Sequence, residues 1–175
     1  MNIEIWTISF LIVFMLHNLE EIITVEKWYD STYRWIAKRF PKFLKNELDH
    51  FKEMTTAQFA IAVFVFSIFC SALLLISVVS EYHYYLFLGV NLLFAFNIFT
   101  HPLQSLFLKR YTPGLFTSLL LVLPYFIMFF YNFYNTELLS LETIIRGIFV
   151  VFILFALLIF SHIIGEQLQG FSKTK

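Results

Sequence analysis

Polar and apolar positions alternate along this chain in long blocks rather than at short period. Five stretches of roughly twenty or more residues carry few charges, at approximately 5–25, 56–79, 84–108, 113–133 and 141–164. A helix needs about 20 apolar residues to cross the hydrocarbon of a bilayer, so each stretch is predicted to be a membrane span. The first could be read as a signal peptide, but it has no positive n-region or A-x-A site and carries Glu4, so it is read as a retained span. Between the first two spans, residues 27–54 have a different pattern. Phe40, Phe43, Leu44, Leu48 and Phe51 recur at helical spacing, with Lys42, Lys45, Glu47, Asp49 and Lys52 mostly on the other side of the wheel. Pro41 suits a first helical turn, and Trp28, Tyr33 and Trp35 suit the headgroup zone. This segment is expected to lie as an amphipathic helix on the cytosolic membrane surface. Thr55 to Gln58 read as a capping box opening the second span, and Thr112 with Pro113 as the cap and first position of the fourth. Pro102 is expected to bend the third span and Pro124 the fourth.

The expected fold is therefore all-α: one integral membrane domain over residues 1–175, with five transmembrane helices and one interfacial helix. Lysines and arginines orient it. Lys27, Arg34, Lys38, Arg39, Lys42, Lys45 and Lys52 follow the first span, Lys109 and Arg110 the third, and Lys173 and Lys175 the fifth. The start and the loops after the second and fourth spans have none, and Arg146, just inside the fifth span, is the exception. By the positive-inside rule the N-terminus lies outside and the C-terminus in the cytosol, in a multi-pass protein of the cytoplasmic membrane.

Composition agrees. Hydrophobic residues are 59% and charged residues 14% of the 175, against about 45–50% and 25% in soluble domains, and the mean hydropathy is +0.77. The net charge is zero, which argues against a nucleic-acid partner. The single Cys70 excludes an internal disulfide framework and a multi-cysteine metal site. The 24 phenylalanines have no explanation in the pattern alone.

The candidate chemistry lies in polar residues at membrane depth, which are costly and usually functional. The first span carries His17, Asn18, Glu20 and Glu21; the third carries Asn91, Asn97, His101 and Gln104; the fifth carries His162, with Glu166 one turn on. These three spans run in the same direction, so His17, His101 and His162 are expected at similar depth, within roughly 10 Å along the membrane normal. Three histidines can hold zinc and leave a fourth position for water, with Glu21 as a further ligand and Glu20 or Glu21 taking the water's proton. Asn97 and Glu166, each one turn from a histidine, are supporting candidates. The alternative is that the histidines and acids are hydrogen-bonded pairs that hold helices together. Glu20 and Glu21 point about 100° apart, so at least one must find a cation, a donor or a proton.

His17-Asn18-Leu19-Glu20-Glu21 is an H-x-x-E-E sequence inside a first hydrophobic span. It is followed by His101 and by Tyr111-Thr112-Pro113-Gly114, a Y-x-P-G sequence. In this order the chain resembles the HXXEE domain family of small bacterial membrane proteins. The resemblance implies that His17, Glu20, Glu21, His101 and the turn with Tyr111, Pro113 and Gly114 matter, without assigning them an activity; His162 and Glu166 lie outside its motifs.

The function expected from these residues is a membrane-embedded, metal-dependent hydrolase, with zinc the best-suited ion, acting on a lipid or other amphiphile from the cytosolic leaflet. A proton-coupled transporter or permease is the alternative, though no inverted repeat is visible. A non-catalytic membrane subunit is another. The bilayer is the expected partner, and the oligomeric state is open.

Overall fold

The computed structural model describes residues 2–39, 55–80, 83–136 and 138–173. Every regular element among them is helical. These are α1 (Ile3–Arg39), α2 (Thr56–Val79), α3 (Tyr84–Ala95), α4 (Asn97–Leu108), α5 (Leu115–Thr117), a π-helical turn (Ser118–Val122), α6 (Leu123–Tyr134) and α7 (Leu141–Lys173). Five stretches are long and apolar enough to cross a membrane: Ile3–Thr32, Thr56–Val79, Tyr84–Leu108, Leu115–Tyr134 and Leu141–Leu168. They coincide with the expected spans to within a few residues, except that the first and last run further. Large apolar side chains such as Ile8, Phe64, Leu75, Phe107 and Phe152 point outward, as a lipid-facing surface requires.

The expected amphipathic region is divided. Residues 27–39 continue α1 without a break instead of beginning a surface helix, and residues 40–54, which carry Pro41 and the apolar stripe, lie outside the described residues. The capping box of α2 is present: Thr55 Oγ1 accepts from the Gln58 amide at 3.2 Å, and Gln58 Oε1 accepts from the Thr55 amide at 2.8 Å. Glu26 of α1 also accepts from the Thr56 amide at 2.8 Å. The exceptional Arg146 pairs with Glu142 one turn before it, at 2.5 Å, with its guanidinium over the Tyr85 ring.

The third span is two helices, divided at Phe96. Pro102 lies inside α4, where its missing amide leaves the Ile98 carbonyl without its helical donor. In the fourth span the π-helical turn sits just ahead of Pro124, at the point where a proline forces the hydrogen-bond ladder to adjust.

Helix α7 packs along α2 and α3, and α1 packs between α2 and the segment from α5 to α6. Gly89 permits the closest crossing: a Cβ there would stand 2.5 Å from Val150 Cβ. Part of the phenylalanine is in the core, and part lies on the outward surface. Phe10, Phe14, Phe87, Phe94, Phe126 and Phe129 are buried and meet edge-on or stacked, as at 5.3 Å for Phe10 with Phe94 and 5.5 Å for Phe87 with Phe129. For helices in a bilayer, burial from water would add no drive, and close packing of this kind would hold the bundle. Aromatic pairs at these spacings supply about 0.5–1.5 kcal/mol each. One polar pair crosses this core: Tyr125 Oη donates to Asn91 Oδ1 at 2.8 Å, and the Asn91 amide donates to the Phe87 carbonyl.

Candidate functional site

The five residues of the H-x-x-E-E sequence occupy just over one turn of α1, and helical geometry sends them to different neighbours. His17 and Glu21, four apart, share a face. There they meet His101 on α4. Glu21 Oε1 lies 3.3 Å from His101 Nε2 and 3.8 Å from His17 Nε2, and one ligand atom from each residue lies within 4.8 Å of the other two. The His17 and His101 rings stand 5.1 Å apart, edge to face. His17 is 1% exposed, and the Glu21 and His101 side chains are 15% and 12% exposed. His17 Nε2 and His101 Nε2, which face Glu21, are buried without a hydrogen bond in the chain.

Glu20 turns away from this group toward the start of the fourth span. Its two oxygens accept from the Tyr111 hydroxyl at 2.6 Å, the Phe116 amide at 3.2 Å, the Thr117 amide at 2.7 Å and the Thr117 hydroxyl at 2.6 Å. The two amides are orphan donors of a helix beginning, a natural anion site. A carboxylate with about four lone-pair sites is filled by these donors. Glu20 thus holds the turn, and it faces away from the group formed by His17, Glu21 and His101.

Thr117 links the two halves of the motif. Its hydroxyl has one proton, given to Glu20, so at 2.9 Å it accepts from His17 Nδ1. The Nδ1–H tautomer leaves the lone pair of His17 on Nε2, facing Glu21 and His101. Carboxylate, hydroxyl and imidazole in series are the arrangement that orients a metal-binding histidine.

The Y-x-P-G turn is built around this group. Lys109 ends α4 in the left-handed region at φ 51°. The Tyr111 hydroxyl is pushed up to about 12 by burial and by the Glu20 carboxylate it serves, so it stays a donor at neutral pH. Thr112 does not cap the fourth span as expected; its hydroxyl donates to the His101 carbonyl at 3.1 Å, which steadies α4 beside the site. Pro113 is buried in the turn. Gly114 has φ +78°, and a Cβ there would stand 2.7 Å from His17 Cε1, 3.0 Å from His101 Cε1 and 3.1 Å from Glu21 Cγ. Only glycine meets both demands, so the main chain at 114 forms one wall of the group.

His162 does not join the three-residue group. Its ring lies 5.7 Å from that of Phe59, and it lines a cavity that Glu21, Asn18 and Asn97 also line. The three spans do run parallel, but shared depth does not fix the direction in which a helix face points. Glu166 is exposed. Thr117, which sequence reasoning missed, lies one helical turn after Gly114, and that position at a helix start is the only sequence signal for it.

The histidines and glutamate offer a donor set suited to zinc. Ligands about 2.0–2.1 Å from a tetrahedral ion stand about 3.3 Å apart, close to the spacings from Glu21 to the two histidines. Unpartnered nitrogens on buried imidazoles are what an ion would satisfy.

Residues 8–129 match the family described as "Protein of unknown function with HXXEE motif". The chain is also 28% identical over 155 residues to the uncharacterized protein YrkK of Bacillus subtilis (strain 168), covering 88% of this chain and 91% of that one. No solved structure matches it. The match spans His17, both glutamates, His101 and the Gly114 turn, more than half of the chain, and the protein belongs to the HXXEE-motif family.

Proposed function

We propose that this protein is a metal-dependent hydrolase of the cytoplasmic membrane that acts on a lipid or similar amphiphile near the cytosolic surface. The observation that carries the reading is the convergence of His17 Nε2, His101 and Glu21, with His17 Nδ1 held by Thr117 and the Gly114 backbone closing one side of the group. Two imidazoles and one carboxylate are a known catalytic zinc set that leaves a position for water, and bound zinc brings that water's pKa to about 7. His17 is oriented by Thr117, Glu20 fixes Thr117, and Glu21 is a ligand or the acceptor of the water's proton. Hydrolysis then adds water across an ester or amide bond, giving an acid and an alcohol or amine. The lysines and arginines after the first and third spans support a site toward the cytosolic side.

A proton pathway would need titratable groups spread across the membrane thickness. Among the described residues, His17, Glu20, Glu21, His101 and His162 all lie toward the end of the bundle at which α1 meets the start of α2, which favours the enzyme.

Elemental analysis of protein purified without a histidine tag or chelator tests this. About one equivalent of zinc is expected in the wild type, and none above background in folded His17→Ala or His101→Ala. Metal-free wild type, also after incubation with zinc, would overturn the proposal.

A further inference from the structure

Beside the candidate metal group, a cavity of about 540 Å³ runs between α1, α2, α3, α4 and α7. Its lining changes along its length. Asn18, Glu21, Asn97, Thr100 and His162 lie toward one end, and Phe10, Phe66, Cys70, Val90 and Val151 toward the other. The helix directions make this one gradient. The contact of Glu26 with Thr56 and that of Phe59 with His162 bring the end of α1, the start of α2 and the end of α7 together. The approach of Gly89 to Val150 joins the opposite ends of α3 and α7. From Phe10 to Glu21 on α1, and from Val151 to His162 on α7, the lining covers eleven residues of helix, about 16 Å at 1.5 Å each. That is half of a hydrocarbon core of about 30 Å, the depth of one leaflet.

Glu21 belongs both to the polar end of this cavity and to the metal-binding group. The wall also has a side toward the surroundings of the bundle: Phe96, Phe152 and Phe155 line the cavity and remain more than half exposed. Phe96 is the point at which the third span is broken. For a molecule in a bilayer this is the side by which the cavity would be reached, between the break and α7.

We propose that the cavity holds a single linear acyl chain of a membrane amphiphile, with the chain end at Cys70 and Val151 and the polar linkage at Asn18, Asn97 and Glu21. The polarity gradient sets the orientation. The depth admits a chain of roughly a dozen methylenes, and the volume lies within the usual range of about 300–1,000 Å³ for small-molecule sites. The Asn97 amide and the second amide proton of Asn18, whose first goes to the Phe14 carbonyl at 2.7 Å, suit an ester or amide carbonyl, which would then stand next to Glu21. This assignment names the substrate class of the proposed hydrolase and rests on that reading for its chemistry, although the chain site itself is testable without it.

The probe is a monomyristoyl glycerol ester with a diazirine at the methyl end of its chain, photolysed with the full-length protein in lipid nanodiscs. Peptide mapping is expected to place the label on the floor, around Phe66, Cys70, Val90 and Val151. Val151→Trp fills the floor and is expected to lower that labelling about tenfold while zinc content stays as in the wild type. Phe64→Trp, on the outward face of α2, is expected to change neither. A second variant, Val63→Phe, narrows the cavity from another helix and guards against a local fault of the first. Label spread over outward residues such as Phe64, Ile68 and Leu75, or floor labelling unmoved by both filling variants, would overturn the chain site even if zinc is bound. Floor labelling that the variants abolish supports it even if no zinc is found, and in that case the hydrolase reading alone falls.

Discussion

Thr117 Oγ1 stands 2.9 Å from His17 Nδ1 across a separation of one hundred residues. The same hydroxyl gives its proton to Glu20, three residues from that histidine. The motif on α1 thus closes on itself through a residue of another span, and the spacing of about one helix turn between His17 and Glu20 fixes one imidazole nitrogen.

Thr117→Val removes the hydroxyl at constant shape. It should leave the bundle folded and weaken zinc binding by about 10–100-fold, the usual effect of losing the group that orients a ligand histidine. Titration of the stripped variant against a zinc indicator measures it. Unchanged affinity would show that His17 is oriented by packing alone.

Gly114→Ala puts a methyl group 2.7 Å from His17 Cε1 at φ +78°. The left-handed conformation alone disfavours a side chain by roughly 1–2 kcal/mol, and the contact forces the rings apart. Zinc binding is expected to be lost at a thermal stability only moderately reduced. Full zinc occupancy in this variant would contradict the placement of the turn.

Tyr111 supplies a pH-dependent contribution. Its hydroxyl is raised to about 12 in the folded protein, against about 10 in an unfolded chain. A folded value above the unfolded one means the unfolded state releases the proton first as pH rises, so stability falls with pH. The contribution is complete below about pH 10 and disappears as pH passes about 12. The difference in stability between wild type and Tyr111→Phe should therefore shrink over that interval, which chemical denaturation in detergent at several pH values can follow. A constant difference would place the worth of Tyr111 in its ring, which stacks on Phe116 at 5.3 Å.

Tyr125→Phe breaks the polar pair in the aromatic core and leaves the fully buried Asn91 Oδ1 without that donor. Hydrogen bonds between membrane helices are worth about 0.6 kcal/mol on average and up to about 1.7 kcal/mol, so a loss in that range is expected, with zinc content untouched. A fall in zinc binding instead would couple this pair to the site.

The spans were legible because hydrophobic length is a one-dimensional property; the limits of α2, such as the capping box at Thr55 and Gln58, could be read to the residue. His17, Glu21 and His101 were also legible, since unpaired polar groups at such depth need a reason. What could not be read is rotation. Nothing in the order of residues says that His162 turns to Phe59 while His101 turns to Glu21, or that the two adjacent glutamates divide into an anchor and a ligand candidate. Those outcomes depend on which neighbour each helix face meets. The 16 Å cavity is a property of five helices jointly and leaves no local mark.

The hydrogen bonds of Glu20 also impose an order on biogenesis. Its partners Tyr111 and Thr117 are 91 and 97 residues further along the chain. In a bilayer, ionised acids on a first span are costly until they are paired, and the donors that Glu20 uses are made only when the fourth span is made. Until then the acids of α1 would need water or another donor beside them. A chain that ends before residue 111 lacks both of these partners, and the turn that closes the group on α1 forms only after the third span is complete.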